Sequence, residues 1–481
     1  MTQLKEGARR RWLPALLATV IAVAGLASIM ATTASGSSSV SASPIKIGIL
    51  TDCKGAFGAF YEDDIAGSLG AFVQFAGAKA KNPNKPSDGI TGGQVGGHPL
   101  QIVGYGCGSD QADLAIKETK RLMEQLGGQI MIGPLSGDEA IAVAHYAQAH
   151  PTKTFINGTA ASQDPTLQIG PKNYFRYNGD GAQWNAGIGD LAYKKLHWRK
   201  AAIIMDDYSF AWTSAAGMIA DFCAVGGQIT KRVFPPLNTT DYSSYARQLP
   251  APNKVDGYFW VVGGTGTVPS LKAFEAAYGP LTATKVIGNL FFEVTGNFEQ
   301  IAPHVSGAYV GGFGTPGGDY HSTAANAYYK ANATVWHTIP GLGPNGGSVP
   351  ASTQFGGGFY YNYYKAGWAL VKGLNKVQGN ITSQKPLQSA LAKVVLNGPF
   401  GVVKLDGNRQ AIEDEWSYQI IAKPGQTLVK TVQWIPKVNQ TFGGTFGAHK
   451  PPPGRAFPPC VKRSLPWSGK EKPVVNGVIQ K

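Results

Sequence analysis

Short apolar runs alternate with longer stretches whose apolar positions recur at helical spacing, and the alternation repeats from Ile45 to Gly288. The runs at 45–50, 100–105, 129–132 and 154–156 are short, carry Ile or Val in most cases, and predict strands. Between them, 63–78 and 110–126 predict helices, the second through Leu114, Ile116, Leu122 and Leu126. Each of these helices starts at an Asp, Asp63 or Asp110, whose carboxylate can satisfy free amides of the first turn. The cycle resumes with strands predicted at 201–205, 228–234, 257–262 and 285–288 and helices at 212–225 and 268–278. Strand, helix, strand in this order implies right-handed crossovers around a parallel sheet. Two such series in one chain predict two α/β lobes, each with its own sheet.

The pattern breaks in two places. Residues 82–97 and 339–349 are rich in Gly and Pro and predict loops with turns. Residues 355–374 are unusually aromatic, yet Tyr360, Tyr364, Trp368 and Val371 fall on one helical face, which predicts a core-packing helix rather than a ligand platform.

Ahead of the first strand, Arg9, Arg10 and Arg11 precede an apolar run over 13–30 that gives way to small residues and Ser-rich sequence. This is the layout of an export signal, with cleavage expected after Ala34 or Ala42, so that residues 1–42 form a leader. No Cys follows the run to accept a lipid. The arginine pair is compatible with either a twin-arginine or a general export route.

Composition changes the picture once the charge is located. The formal charge is +14, which by itself points to nucleic acid. From Lys437 onward, however, eight Lys or Arg stand against the single acid Glu471, so much of the excess sits in a tail over 437–481. Interleaved with Pro451–Pro453 and Pro458–Pro459, that tail reads as an extended strap or surface-adhering arm, or equally as a solvated extension. The body is only mildly basic, and no nucleic-acid partner is expected. Cys53, Cys107, Cys223 and Cys460 are far apart and lack metal-ligand spacing, which predicts disulfides in an oxidising compartment. Three pairings are open. Cys53 and Cys107 each follow a predicted strand, and the ends of neighbouring parallel strands come within bridging distance. That favours Cys53 with Cys107 and leaves Cys223 with Cys460.

Catalytic signatures fail inspection. His145 and His150 are five apart and do not share a helical face. The string from Gly312 to Gly317 matches G-x-G-x-x-G, but Pro316 denies it the strand-to-helix setting that presents amides to phosphate, so a turn is expected. What remains is a pair of junctions after predicted strands, at 132–139 and 155–162, at the sheet edge where open α/β folds bind ligands. There Ser136 and Ser162 either cap helices or, with free amides, hold a carboxylate or carbonyl. Asp138 and Glu139 favour the same helix end and compete with an anionic ligand.

At these residues the chain resembles the type I periplasmic solute-binding proteins of the branched-chain amino acid class, which feed ABC importers. The resemblance covers roughly 44–436 and rests on ordered matches: the opening strand from Pro44; Gly92-Gly93 followed by 98–103; 131–136; 173–176 with Asp180 and Gln183; 201–208; and, near the end, 398–400 and 405–409. It implies an α/β periplasmic binding protein type I fold, two Rossmann-like lobes with parallel sheets joined by a three-crossover hinge. The N-terminal lobe would take 44–178 plus 309–415, and the C-terminal lobe 179–308 plus 416–436.

The resemblance also implies a ligand set. Ser136, Gly137, Thr159, Ala160 and Ser162 would hold a carboxylate, and Phe60 or Tyr61 supplies the aromatic of the first loop. Asp180 or Glu293 would answer an ammonium, and Thr265 lies in the loop facing the ligand side chain. This sequence has Gly137 where the family commonly has Ser, and small polar residues at 263–267, which imply a roomier or chemically different pocket. The expected function is a non-catalytic, cofactor-free, exported receptor that captures an amino acid or related solute and delivers it to an ABC permease. A sensory receptor handing its signal to a membrane partner is the alternative. The tail would hold the protein near anionic envelope surfaces, an interaction that salt weakens.

Overall fold

The computed structural model of the protein describes residues 42–292, 300, 305–343, 346–423 and 426–481. The export signal read over 1–42 therefore lies outside the described residues except for Ala42, and so does Glu293. Among the described residues no helix is long and apolar enough to cross a membrane.

Five parallel strands build the first sheet: β1 (Ile45–Thr51), β2 (His98–Cys107), β3 (Ile130–Ile132), β4 (Thr154–Ile156) and β5 (Tyr174–Phe175), in the spatial order β2-β1-β3-β4-β5. Ile45, Ile47, Ile49 and Leu50 of β1 are all fully buried, as expected of a strand covered by helices on both faces. The loop expected at 82–97 is more ordered than its composition implies. Ile90–Gly92 pairs with Ala78–Ala80, and Gln94–Val95 folds back on β2 through Gly96 and Gly97, both at positive φ, as a two-residue hairpin requires.

The helices α1 (Tyr61–Ala76), α2 (Ala112–Lys120) and α3 (Gly137–Ala149) cross between these strands. Asp63 and Asp110 do not cap them. Neither α1 nor α2 has a side-chain cap, and both carboxyls are turned inward and largely buried.

The second sheet contains β6 (Lys200–Met205), β7 (Gln228–Val233), β8 (Gly257–Val261), β9 (Val286–Gly288) and β10 (Tyr309–Gly311), parallel in the order β7-β6-β8-β9-β10. It then continues antiparallel through β11 (Ala411–Lys423), β12 (Gln426–Val438) and β13 (Lys472–Val475). The sequence pattern did not announce β11 and β12. The helices α4 (Gly181–Trp184), α5 (Ser209–Ala224) and α6 (Thr267–Tyr278) belong to this half. After β10 the chain returns to the first half, where α7 (Gly358–Lys376) lies on α1, and then re-enters the second sheet at β11. The two halves are thus joined by three crossovers.

The contact of α1 with α7 is close enough that a Cβ on Gly67 would stand 2.2 Å from the Tyr360 carbonyl oxygen. Tyr360, Tyr361, Tyr363 and Tyr364 are buried, and the Tyr363 hydroxyl donates to the Leu50 carbonyl at 2.7 Å. The core-packing reading of this aromatic helix holds beyond its first turn.

The crossovers carry buried charge. Arg176 is fully buried; it donates to Gln410, to the Ser162 carbonyl and, at 2.8 Å, to the Thr166 hydroxyl. Lys365 of α7 meets Glu413 of β11 at 2.5 Å, and both side chains are buried.

Both disulfides join the expected cysteines, Cys53 with Cys107 and Cys223 with Cys460. The second ties the tail to α5, and the tail is a packed strap, not a solvated extension. Phe442, Phe446, Leu465 and Trp467 are buried in one cluster with Leu167, Ala216 and Ala220. The apolar residues spaced through the basic stretch account for this, because each finds a small-residue surface to cover. Arg455 pairs with Asp207, Arg232 donates to the Pro458 carbonyl at 2.7 Å, and Gln168 donates to the Gly447 carbonyl at 3.2 Å.

Candidate functional site

The carboxyl ends of β3, β4, β6, β9 and β10 converge on one region, as do the turn Gly55–Phe60 and the start of α7. This is where an α/β protein places ligands. Facing each other there are Ser136 and Gly137 after β3, Thr159 and Ala161 after β4, Tyr208 and Phe210 at the start of α5, Leu290 and Phe291 after β9, and Phe313 after β10. Phe57, Trp184 and Phe359 complete the wall. The rings pack on one another: Phe57 stacks on Phe291 with centroids 5.3 Å apart, Phe210 meets Phe291 edge-on at 5.8 Å, and Trp184 meets Phe313 edge-on at 4.5 Å. These are favoured aromatic arrangements. They fill the box so fully that about 20 Å³ remains, room for one water.

A larger cavity of about 370 Å³ lies immediately outside. Leu290, Phe313 and Phe359 wall both spaces, and Phe60 closes the outer one, its ring stacked on Phe359 at 3.7 Å. The turn from Gly312 to Gly317 follows β10 as expected and opens no helix. Four of its residues, Phe313, Thr315, Pro316 and Gly317, line the outer cavity.

The two halves touch across the inner box. The Ser209 amide, at the first turn of α5, donates to Asp138 of α3 at 3.2 Å. Asp138 thus serves a helix end on the opposite side rather than competing for a ligand at its own. A Cβ on Gly137 would stand 2.5 Å from Ser209 Oγ and 3.1 Å from the Phe210 amide nitrogen, so the approach depends on glycine at this position.

Polar groups in the box are few. The Thr159 and Tyr208 hydroxyls are buried without a hydrogen-bond partner, an arrangement that costs free energy until something pairs with them. The Ser136 hydroxyl lies against Asp110. Behind it, Asp52, Asp110 and Glu139 form a buried acid cluster, and burial pushes all three carboxyls upward, Asp110 to about 9. Proximity adds to the effect at Asp110 and Glu139, since like charges this close cannot all ionise. With Asp110 raised to about 9, the cluster carries less negative charge near pH 7 than three free carboxylates would. Among the described residues no group of His, Cys, Asp or Glu is suited to hold a metal ion.

The acid cluster has a stability consequence. A carboxyl raised in the folded state contributes stability that is complete below its unfolded value of 3.8 and is lost as pH rises toward about 9. Asp110→Asn removes that slope. The melting temperature of the variant relative to the parent is expected to rise between pH 5 and pH 8, as measured by differential scanning calorimetry. A constant difference across that range would show that Asp110 ionises normally.

The sequence-predicted residues divide in two. Ser136, Gly137 and Thr159 line the inner box, and Phe60 lines the outer cavity. Ala160 does not line either; its carbonyl accepts from Asn157 at 3.0 Å, and Ala161 takes the wall position. Ser162 is committed to the Gly137 carbonyl at 3.0 Å. Asp180 caps α4, accepting from the Ala182 and Gln183 amides, and stands 4.0 Å from Arg176. Desolvation raises its carboxyl to about 6, and it does not reach the box. Tyr61 sits in the first turn of α1 outside both cavities, and Thr265 is exposed while its neighbour Gly264 packs on Ala56.

The residues that sequence reasoning missed are the rings Phe57, Trp184, Tyr208, Phe210, Phe291, Phe313 and Phe359. Three of the seven carried a positional signal: Tyr208, Phe291 and Phe313 each fall within three residues of the end of a second-sheet strand.

A family profile described as "Periplasmic binding protein" matches residues 44–425. The chain belongs to the periplasmic binding protein family. Solved structures of similar fold include an ABC transporter solute-binding protein from R. palustris in complex with benzoate. It is 20% identical, with a TM-score of 0.63 over 81% of this chain and 97% of that one. Another, from Rhodopseudomonas palustris HaA2 in complex with p-hydroxybenzoic acid, is 18% identical, with a TM-score of 0.65 over 82% and 98%. A leucine-binding protein from Thermotoga maritima is 16% identical, with a TM-score of 0.59 over 80% and 99%. No curated protein matches the chain. For a periplasmic binding protein, a cleft between two α/β halves is the expected place for a solute.

Proposed function

We propose that this protein is the extracytoplasmic, non-catalytic substrate-binding component of an ABC importer, and that its solute is a small aromatic carboxylic acid rather than an aliphatic amino acid. The observation that carries the reading is the make-up of the inner box: aromatic rings on every side and a few hydroxyls, with no lining carboxylate among the described residues to receive an ammonium; with about 20 Å³ left there, these rings must part to admit a ring-sized acid. Ser136, Thr159 and Tyr208 supply hydroxyl donors for the acid end, and the unpaired state of the last two is what a carboxylate would relieve. Asp180, one of the two residues expected to answer an ammonium, is engaged as a helix cap, and the other, Glu293, lies outside the described residues. The benzoate and p-hydroxybenzoate complexes of two structural neighbours support the same class. Closure then follows from contacts that both halves make to one ligand, which shifts a hinge equilibrium toward the joined state. Outward-facing cations of the tail, among them Lys462 and Lys470, support contact with anionic envelope polymers.

The test is calorimetric titration and thermal shift of the purified protein with benzoate, 4-hydroxybenzoate, leucine and isoleucine. Benzoates far above their dissociation constants are expected to stabilise the fold by about 3 to 4 kcal/mol, and leucine to have no effect. Stabilisation by leucine alone would replace the aromatic reading with an aliphatic one.

A further inference from the structure

The ligand-sized space in this cleft does not lie where the predicted carboxylate-binding residues are. The inner box around Ser136 and Thr159 retains about 20 Å³, whereas the cavity beyond the Phe60–Phe359 pair holds about 370 Å³, within the range of small-molecule sites. We propose that this outer chamber is a second ligand compartment, which receives a polar, uncharged extension carried on the ring of an aromatic acid seated in the inner box. The inference rests on the aromatic-acid reading of that box.

Three features support the assignment. The first is continuity, because Phe313, Phe359 and Leu290 belong to both walls and so stand between the two spaces. A ring enters the inner box only if its aromatic side chains move, and moving Phe359, which walls both spaces, would join them. The second is the origin of the volume: Gly317, Gly318, Gly356 and Gly357 line the chamber and contribute no side chain to it. Gly318 has an ordinary backbone conformation, and a Cβ there meets nothing within 4 Å. The third is chemistry. The chamber grades from aromatic rings at its inner end to Asn326, Gln354, Tyr329 and His321, and among the described residues none that lines it is Asp, Glu, Lys or Arg. The Tyr329 hydroxyl is buried without a partner. A charged extension would meet no fixed counter-charge among these residues, while a hydroxyl or ether can pair with them.

The experiment compares benzoate with 4-(2-hydroxyethoxy)benzoate by isothermal titration calorimetry, in the parent protein and in Gly318→Leu and Tyr329→Phe. The parent is expected to bind the extended acid at least tenfold more tightly than benzoate. Gly318→Leu fills the chamber and is expected to abolish that gain while changing benzoate affinity less than twofold; Tyr329→Phe should remove part of it. If benzoate binds and the extended acid binds more weakly in the parent, the second compartment is refuted while the aromatic-acid reading stands. The same holds if Gly318→Leu, folded by circular dichroism, keeps the full gain. If neither acid binds, the aromatic-acid reading fails and this inference falls with it.

Discussion

Gly137→Val is expected to reduce ligand affinity by at least a hundredfold with little change in the melting temperature of the ligand-free protein. Glycine at 137 is a point of close approach between the halves, where a Cβ would stand 2.5 Å from Ser209 Oγ and 3.1 Å from the Phe210 amide nitrogen. A serine hydroxyl can rotate away from a single added methyl, so Gly137→Ala should lose less. The branched side chain of valine also meets the Phe210 backbone, which cannot move without shifting α5. The collision exists only when the halves are joined, so it penalises the binding-competent state and not the folded state as such. Apparent affinity falls in proportion to the population of that state. Titration calorimetry gives the affinity, and small-angle scattering with ligand should show the variant remaining more open than the parent. An unchanged affinity would mean that the halves need not approach this closely to bind.

The second large effect is expected at the buried ion pair between Lys365 and Glu413. Glu413 also accepts the Gly179 amide, and Glu415, likewise buried, lies close enough for its charge to matter. Removing one partner of a buried pair leaves the other charge without compensation, which costs about 3–5 kcal/mol. Lys365→Met should therefore shift the urea midpoint strongly downward. Its sign with pH is fixed as well. Desolvation already raises the Glu413 carboxyl and Lys365 opposes that rise, so removing the lysine raises it further. The native state of the variant then binds a proton that the unfolded state releases, and its deficit should shrink as pH falls. Adding Glu413→Gln to Lys365→Met should recover much of the loss. A single variant as stable as the parent at pH 7 would show that the pair contributes little to the fold.

What could be read from the chain was whatever depends on neighbours in sequence. Parallel strands buried on both faces must be apolar along their length, so Thr154–Ile156 and the other core strands stood out to within a residue or two at most ends. The disulfides followed from the same regularity, since Cys53 and Cys107 end adjacent strands. The antiparallel strands β11 and β12 were not seen. They alternate with charged positions and belong to the second sheet only because the chain returns there after nearly a hundred residues spent with the first.

The site was legible in its polar half and not in its aromatic half. Ser136, Gly137 and Thr159 lie in junctions that short-range pattern marks as loops at a sheet edge, and those junctions are where the cleft forms. Asp180 looked equally suited to a ligand, yet its local sequence, with Gln183 three residues on, makes a capping box that binds both ends of the motif to itself. Phe57, Tyr208, Phe291 and Phe313 are separated by up to 256 positions, and in sequence each is an ordinary core residue. Whether a ring faces a core or a ligand depends on what stands opposite it, and no local pattern carries that information.

By itself, then, the sequence determined an α/β protein of two sheets with parallel strands and the loops that border its cleft, and it favoured the observed disulfide pairing, because strand burial and turn chemistry act over a few residues. Only the tertiary structure decided which residues face a solute, that the basic tail packs as a strap, and that the open volume lies outside the Phe60–Phe359 pair. Those outcomes depend on distances between elements far apart in the chain, set by how helices and sheets pack and by where three crossovers bring the two halves together.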